Sequence, residues 1–220
     1  MSGNEPGVID VFNDYMREAA RANGVTYRPF AFGSSDKDLA DYLLSSESRY
    51  VLVEFKDSDG DLNSEGQKSK RHKLCKALGC EPLIAKLHDR CHFISWADRR
   101  DHALWLNIYR HEVCNCRRMR KDCGLAQEEP NENERIRADT FAQSFFAKIS
   151  TRGVDFATLR RYVDWVFTEQ GGQEKIRLVM RGEGDATIKR VGLEELHHAL
   201  QQTSPPSPSA ASKRPGMRQW

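Results

Sequence analysis

The sequence predicts an α/β fold, in which a central mixed sheet is flanked by helices and followed by a C-terminal α+β extension. Residues 50–56, Tyr-Val-Leu-Val-Glu-Phe-Lys, are rich in β-branched and aromatic side chains and indicate a buried strand. Residues 8–23 show the amphipathic pattern of a helix, and residues 65–78 indicate a second helix after the strand. With 220 residues, of which 39% are hydrophobic, the chain can bury a sizeable core.

The first helix, residues 8–23, carries Glu18 near its end and precedes a predicted β-hairpin. Because side chains alternate along a strand, Glu54 and Lys56 project from the same face of the second strand. If Asp41 begins the first strand of the hairpin, its carboxylate lies beside that of Glu54. Two adjacent carboxylates supply hard oxygen ligands for a divalent metal ion, and Lys56 then stands next to that metal.

A helix over residues 36–44 is the alternative for this part of the chain. Ser35 would be its N-cap residue, and acidic side chains would fill its first turn. Leu39 and Tyr42 would belong to an apolar stripe on one face of that helix. In that case Asp41 is a solvated helix residue with no part in a metal site.

An acid, a short hairpin and then Glu-x-Lys on an apolar strand resemble the motif of the PD-(D/E)XK nuclease superfamily, which has the restriction-endonuclease-like fold. The resemblance covers residues 8–78. It implies that Asp41 and Glu54 bind Mg²⁺ or Mn²⁺ and that Lys56 assists the reaction. No proline precedes Asp41, a departure that the superfamily tolerates. Since Glu-x-Lys is a short motif, the order of the elements carries most of the resemblance.

Two further catalytic residues are implied by the same resemblance. The superfamily often has an acid on the helix before the hairpin, here Glu18, and a glutamine on the helix after it, here Gln67. The residue types suit phosphodiester hydrolysis, because bound Mg²⁺ can activate water and stabilise charge on phosphate oxygens. The backbone carbonyl of Phe55 offers one more oxygen ligand. The ammonium of Lys56 could orient or deprotonate the water, or neutralise phosphate charge.

Charge is distributed unevenly along the chain. Residues 1–64 contain 6 Lys and Arg against 12 Asp and Glu, whereas residues 65–123 contain 14 against 7. An acidic segment followed by a basic one suits a site that binds both a metal ion and a polyanion, although the two segments could equally pair with each other. The basic residues expected to contact nucleic-acid phosphates are Lys68, Lys70, Arg71 and Lys73.

A second group of candidate ligands follows the predicted strands. One His and three Cys within a short span can supply four ligands to a structural Zn²⁺, and these are His111, Cys114, Cys116 and Cys123. The alternative is three reduced thiols in a basic turn, because the Cys-x-Cys spacing is unusual for zinc. No secretory signal is present, so the six cysteines are expected to be reduced thiols or metal ligands and not disulfides.

The chain is expected to comprise a nuclease-like core, residues 1–126, an extension, residues 127–202, and a disordered Pro- and Ser-rich tail, residues 203–220. Two more strands are predicted in the core, at residues 91–96 and 103–109. The extension is expected to contain two helices, a hairpin and a closing helix, at residues 136–149, 155–168, 175–180 with 186–191, and 194–201.

These observations together predict a cytoplasmic, metal-dependent nuclease. No apolar run approaches the ~18 residues of a membrane span, and the first residues lack a signal-peptide pattern. The expected partner is nucleic acid, with DNA expected before RNA. Further expectations are a homodimer or a partner subunit, and a role in bacterial or phage defence. Two alternatives remain: a nuclease-fold nucleic-acid-binding or adaptor subunit without activity, and a zinc-stabilised interaction protein.

Overall fold

The computed structural model describes most of the chain. The described residues are 4–32, 39–119, 124–170, 176–181 and 188–203. The tail that the sequence predicts to be disordered lies outside the described residues, except for Thr203, which ends the last helix.

Eight strands of the described residues form one mixed sheet. They are β1 (Arg28–Phe32), β2 (Tyr42–Ser46), β3 (Arg49–Ser58), β4 (His92–Ala97), β5 (Leu104–Ile108), β6 (Ile136–Arg137), β7 (Leu178–Arg181) and β8 (Ile188–Val191). Their order across the sheet is β6-β5-β4-β3-β2-β1-β7-β8. β3 and β4 are parallel and the other neighbouring pairs are antiparallel, so the chain needs a helical crossover between β3 and β4.

Helices cover both faces of this sheet. The described α-helices are α1 (Glu5–Asn23), α2 (Ser69–Cys80), α3 (Pro82–Cys91), α4 (Tyr109–Val113), α5 (Cys116–Met119), α6 (Ala138–Phe146), α7 (Phe156–Gln170) and α8 (Leu193–Thr203). Phe12 of α1 and Phe141 of α6 belong to the core on one face, whereas Leu74 of α2 and Tyr162 of α7 belong to the core on the other. None of these helices combines the length and apolar content that crossing a bilayer requires. The predicted α/β class, a mixed sheet flanked by helices, is therefore confirmed.

Strand β3 lies in the interior of the sheet and is buried along almost its whole length. Val53 and Phe55 pack in the core that contains α1 and α6, whereas Leu52 packs in the core that contains α2. Because side chains alternate along the strand, Glu54 and Lys56 lie on the same side as Leu52. Both charged groups are thus directed into the layer between the sheet and α2.

The predicted hairpin is confirmed by the antiparallel pair of β2 and β3, in which Tyr42 is paired with Val53. The backbone N–H of Asp41 donates to the carbonyl oxygen of Val53 at 3.2 Å. The carbonyl oxygen of Asp41 accepts from the N–H of Phe32 at 2.9 Å. The helical alternative for residues 36–44 is wrong from Asp41 onward, because the backbone groups of Asp41 bond across strands. Residues 36–38 lie outside the described residues.

Several element boundaries differ from the sequence prediction. Strand β1 was not predicted, because it contains Pro29, which is uncommon within a sheet. The helix after the hairpin begins at Ser69, and a 3₁₀ segment, Asp59–Gln67, precedes it. The sequence predicts a helix over residues 136–149 with Ile149 on its buried face. Helix α6 ends at Phe146, and Ile149 is 96% exposed.

The C-terminal extension adds strands to both edges of the sheet formed by the core. β6 pairs with β5 at one edge, and β7 pairs with β1 at the other. The predicted hairpin is present as the antiparallel pair β7 and β8. The described part of residues 127–202 therefore shares one sheet with the core.

The close approach of the 3₁₀ segment to α5 predicts different effects for two glycine substitutions. A Cβ atom at Gly66 would overlap the carbonyl oxygen of Arg118, whereas a Cβ atom at Gly79 would have no neighbour within 4 Å. Gly66→Ala is expected to lower the free energy of unfolding by about 1–3 kcal/mol. Gly79→Ala, in α2, is expected to leave it unchanged or raise it by up to ~1 kcal/mol. Urea unfolding followed by circular dichroism measures both, and wild-type stability of Gly66→Ala contradicts this packing.

Candidate functional site

Asp41, Glu54 and Lys56 come together at the start of β2 and the middle of β3. Tyr42 is paired with Val53, so continuing the register by one residue brings Asp41 beside Glu54, whose charge acts on the pKa of Asp41. The Oδ2 atom of Asp41 accepts a hydrogen bond from the backbone N–H of Phe55 at 2.7 Å. The Nζ of Lys56 donates to Oε1 of Glu54 at 2.7 Å and to the carbonyl oxygen of Phe55 at 3.0 Å. The structure thus brings together the three residues of the predicted motif.

Glu54 is a buried carboxylate, with a side chain only 1% exposed, and cations bind both of its oxygens. Oε1 lies 2.7 Å from Nζ of Lys56 and 2.8 Å from Nζ of Lys68. Oε2 accepts a hydrogen bond from Nη2 of Arg71 at 2.9 Å. Burial alone would raise the pKa of Glu54, but the charges of Arg71, Lys56 and Lys68 hold that pKa below its usual range. Glu54 is therefore ionised at neutral pH.

A second buried carboxylate, Glu65, binds the same cations. Its Oε1 lies 2.7 Å from Nζ of Lys68 and 3.0 Å from Nζ of Lys56. Its Oε2 accepts a hydrogen bond from the hydroxyl of Tyr109 at 2.7 Å and lies 3.3 Å from Nε of Arg71. The sequence analysis missed Glu65, because it lies among several acids of a polar segment and no local pattern marks the one that is buried. Tyr109 was missed because the sequence predicts it to be the last residue of an apolar strand.

The basic residues after the hairpin occupy different environments. Arg71 is fully buried, and its Nη1 also donates to the carbonyl oxygen of Leu39 at 2.9 Å. It therefore does not lie on the surface where contact with phosphates was expected, because it neutralises the two buried carboxylates. Lys68 has a side chain 37% exposed and forms the solvent-facing edge of the cluster. Lys73 is exposed and Lys70 is half-buried on the same helix.

The carboxyl group of Asp41 has a pKa in the neutral range. Burial and the facing charge of Glu54 raise its pKa to about 7. Carboxylates are hard oxygen ligands, so Asp41 and Glu54 are the residues of the site that could hold Mg²⁺ or Mn²⁺, once one of the cations that bind Glu54 has left. Among the described residues, no group of three or more His, Cys, Asp or Glu is arranged to hold a metal ion.

The two additional residues implied by the resemblance are both exposed. Glu18 is exposed near the end of α1, roughly 20 Å along the helix axis from its first residue. The acid of α1 whose charge raises the pKa of Asp41 is Glu5, at the start of the helix. Gln67 is exposed at the end of the 3₁₀ segment and not on the helix that follows.

The predicted zinc ligands are not brought together in the described structure. Cys114 forms a disulfide with Cys75 of α2, so neither sulfur is the thiolate that zinc binds. The expectation that all cysteines are reduced is therefore wrong for this pair. The pattern of residues 111–123 gives no sign that Cys114 packs beside Cys75, which precedes it by 39 residues.

The other two described candidates for zinc have separate contacts. Nε2 of His111 lies 3.8 Å from Oδ2 of Asp89, and the Cys116 thiol donates to the carbonyl oxygen of Leu125 at 3.7 Å. Cys123 lies outside the described residues. These contacts are those of a packed, partly buried surface and do not converge on one point.

Comparisons of this chain with protein-family models, with curated proteins and with solved structures found no match. The resemblance to the PD-(D/E)XK superfamily therefore depends on the residues of the hairpin and on the order of the elements around it. That order, α1 before the hairpin and α2 after β3, is present in the structure.

The raised pKa of Asp41 predicts a stability that falls as pH rises. Between its ordinary pKa of 3.8 in the unfolded chain and about 7 in the folded protein, the folded state holds a proton that the unfolded state has lost. Asp41→Asn removes this effect and keeps an oxygen that can accept from Phe55. The stability of the variant relative to wild type should therefore increase from pH 4 to pH 8, by on the order of 3 kcal/mol.

Urea unfolding at several pH values across this range measures the difference. Glu18→Gln, a change at an exposed acid of α1, is the control and should show no such trend. A difference between Asp41→Asn and wild type that stays constant with pH contradicts the assignment of Asp41 as the group that titrates.

Proposed function

We propose that this chain is a metal-dependent nuclease of the PD-(D/E)XK type, with a restriction-endonuclease-like core, that hydrolyses phosphodiester bonds in DNA. The observation that carries the proposal is the placement of Asp41 across from Glu54, with the Lys56 ammonium 2.7 Å from Glu54. Two facing carboxylates and a lysine are the groups that metal-assisted phosphodiester hydrolysis uses.

Asp41 and Glu54 are the residues that would hold Mg²⁺ or Mn²⁺. The bound ion supplies a water of lowered pKa and positive charge for the phosphate oxygens. Both oxygens of Glu54 are bound by cations of the protein, so one of these must leave before the carboxylate can bind a metal. Lys68 is the cation that can leave, because its side chain is 37% exposed whereas that of Arg71 is fully buried.

Lys56 acts as a cation in this proposal and not as a base. Burial alone would lower its pKa, but the charges of Glu54 and Glu65 raise that pKa above the ordinary value. The ammonium therefore stays protonated at neutral pH and can donate hydrogen bonds to water or to a phosphate oxygen. Of the roles that the sequence left open, charge neutralisation and water orientation are favoured over proton abstraction.

The helix that follows the cluster can contact the DNA backbone. Lys73 is exposed and Lys70 is half-buried on α2, whose first residue is Ser69, directly after Lys68. A cationic helix surface at this position would hold the phosphates that flank the reacting one. Specificity for a sequence or structure, and a role in defence against foreign DNA, would depend on further surfaces or partners.

A second function, DNA binding without turnover, is favoured by the occupation of Glu54. Lys56, Lys68 and Arg71 together bind both oxygens of a side chain only 1% exposed. In a protein with this second function, the network of ion pairs would stay intact, and the acids would orient the cations toward DNA. A protein of this kind binds DNA with a steep dependence on salt and does not cut it.

A cleavage assay separates these functions. Labelled single-stranded and duplex DNA are incubated with Mg²⁺, Mn²⁺ or EDTA, and binding is measured in parallel by fluorescence anisotropy. Glu54→Gln and Asp41→Asn, which keep the shape of each side chain, are each expected to reduce metal-dependent cleavage by about 100-fold or more. Glu18→Gln is the matched control and should cleave like wild type.

Circular dichroism and thermal unfolding establish that each variant is folded. Wild-type cleavage by folded Glu54→Gln contradicts the proposed nuclease. Salt-dependent binding by the wild-type protein without cleavage under any of the metal conditions supports the second function.

A further inference from the structure

A polar pocket of about 540 Å³ opens beyond the carboxyl ends of the parallel strands β3 and β4. Its wall includes Asn63 of the 3₁₀ segment, Trp96 of β4, Trp105 of β5, Arg118 of α5 and Arg135 before β6. In open α/β sheets, ligands commonly bind outside the carboxyl ends of parallel strands, and the volume is typical of a small-molecule site.

The pocket lies next to the carboxylate cluster and shares two structural elements with it. Trp96 is the register partner of Lys56 across the β3 and β4 pair, and both side chains lie on the face that α2 covers. The 3₁₀ segment contributes Asn63 to the pocket and Glu65 to the cluster. The pocket and the cluster therefore lie on the same face of the sheet, with Trp96 and the 3₁₀ segment between them.

A buried carboxylate holds the two inner arginines of the pocket in place. Glu112 is fully buried, and its Oε1 lies 2.8 Å from Nη2 of Arg118 and 2.8 Å from Nη2 of Arg135. The guanidinium of Arg135 lies over the ring of Trp96, with Cζ 5.4 Å from the ring centroid. Nη1 of Arg118 donates to Oδ1 of Asn63 at 2.9 Å. Each guanidinium has five N–H donors, so both can also donate to a ligand.

Arg118 has an unused donor in a buried position. Its side chain is only 7% exposed, and its Nε has no hydrogen-bond partner among the residues that the structure describes. A buried N–H without a partner carries a desolvation cost that a bound ligand can offset. Arg118 is thus a fixed, largely buried cation in the pocket wall, with one donor that the described residues do not use.

The mouth of the pocket combines positive charge with acceptors and an indole ring. The exposed guanidinium of Arg100 has no ion-pair partner within the described ranges. Asp59, Asp98 and Glu132 also line the pocket, and Trp105 is only partly buried there. A bare phosphate would use the arginines and be repelled by three carboxylates. A nucleotide can use all of these groups, because its phosphate needs donors, its base edge needs donors and acceptors, and its ring stacks on an aromatic side chain.

We propose that this pocket binds one unpaired nucleotide of a DNA strand whose backbone continues into the carboxylate cluster. The phosphate of that nucleotide lies against Arg100 and Arg118, and its base lies against Trp105. The inference rests on the proposed function for the choice of DNA, and it specifies a substrate with a single-stranded segment next to the bond that is cut.

Binding of a fluorescein-labelled single-stranded DNA in EDTA tests the pocket separately from cleavage. Trp105→Leu removes the stacking surface and is expected to weaken binding about ten-fold. Arg100→Ala is expected to weaken binding several-fold and to reduce its dependence on salt. Arg99→Ala, at the adjacent exposed arginine outside the pocket wall, and Trp165→Leu, in α7, are the matched controls and should bind like wild type.

The outcomes distinguish the pocket from the proposed function. Weaker binding by both pocket variants, with wild-type binding by both controls, supports the pocket even if no protein in the set cleaves DNA. Metal-dependent cleavage that Glu54→Gln abolishes, together with unchanged binding by Trp105→Leu and Arg100→Ala, overturns the pocket and leaves the nuclease in place. Competition by inorganic phosphate as effective as that by a mononucleotide, or equal affinity for blunt duplex and single-stranded DNA, also overturns it.

Discussion

The burial of a negative charge at Glu54, in the middle of the sheet, is the constraint on which the rest of the structure depends. An unpaired carboxylate there would cost several kcal/mol, so the fold must bring cations to it. Lys56 comes from the same strand, whereas Lys68 immediately precedes α2 and Arg71 lies in its first turn. These contacts fix the position of α2 on the sheet. They also bring in Glu65 as a second anion, since three cations around one carboxylate would leave an excess of positive charge.

The charge balance of this cluster is compatible with the proposed binding of both DNA and a metal ion. Glu54 and Glu65 carry two negative charges against three positive charges on Lys56, Lys68 and Arg71. In this count of formal charges, a protonated Asp41 leaves one net positive charge, which would attract phosphate. An ionised Asp41 leaves the cluster neutral, with a second carboxylate beside Glu54. Because the pKa of Asp41 is about 7, both states are populated near neutral pH. The adjacent pocket, joined to the cluster by the 3₁₀ segment, would direct a strand into it.

The sequence predicted what depends on local patterns and missed what depends on contacts between distant segments. The alternation of β3 was sufficient to place Glu54 and Lys56 on one face, and the hairpin register then brought Asp41 across from Glu54. No local pattern distinguished Glu65 from the other acids of its polar segment, because its burial depends on partners in β3 and α2. The disulfide of Cys114 was missed for a related reason, since its partner lies on a helix that the intervening chain brings back to it.

Binding of Mn²⁺, measured by the electron paramagnetic resonance signal of the free ion, tests most directly whether Asp41 and Glu54 form one cation site. If they do, the dissociation constant should fall about ten-fold between pH 6 and pH 8, as Asp41 loses its proton. Asp41→Asn should bind more weakly and show no such change, and Glu18→Gln should behave like wild type. Failure of the wild-type protein to bind Mn²⁺ saturably, or binding that Asp41→Asn leaves unchanged, would contradict the account.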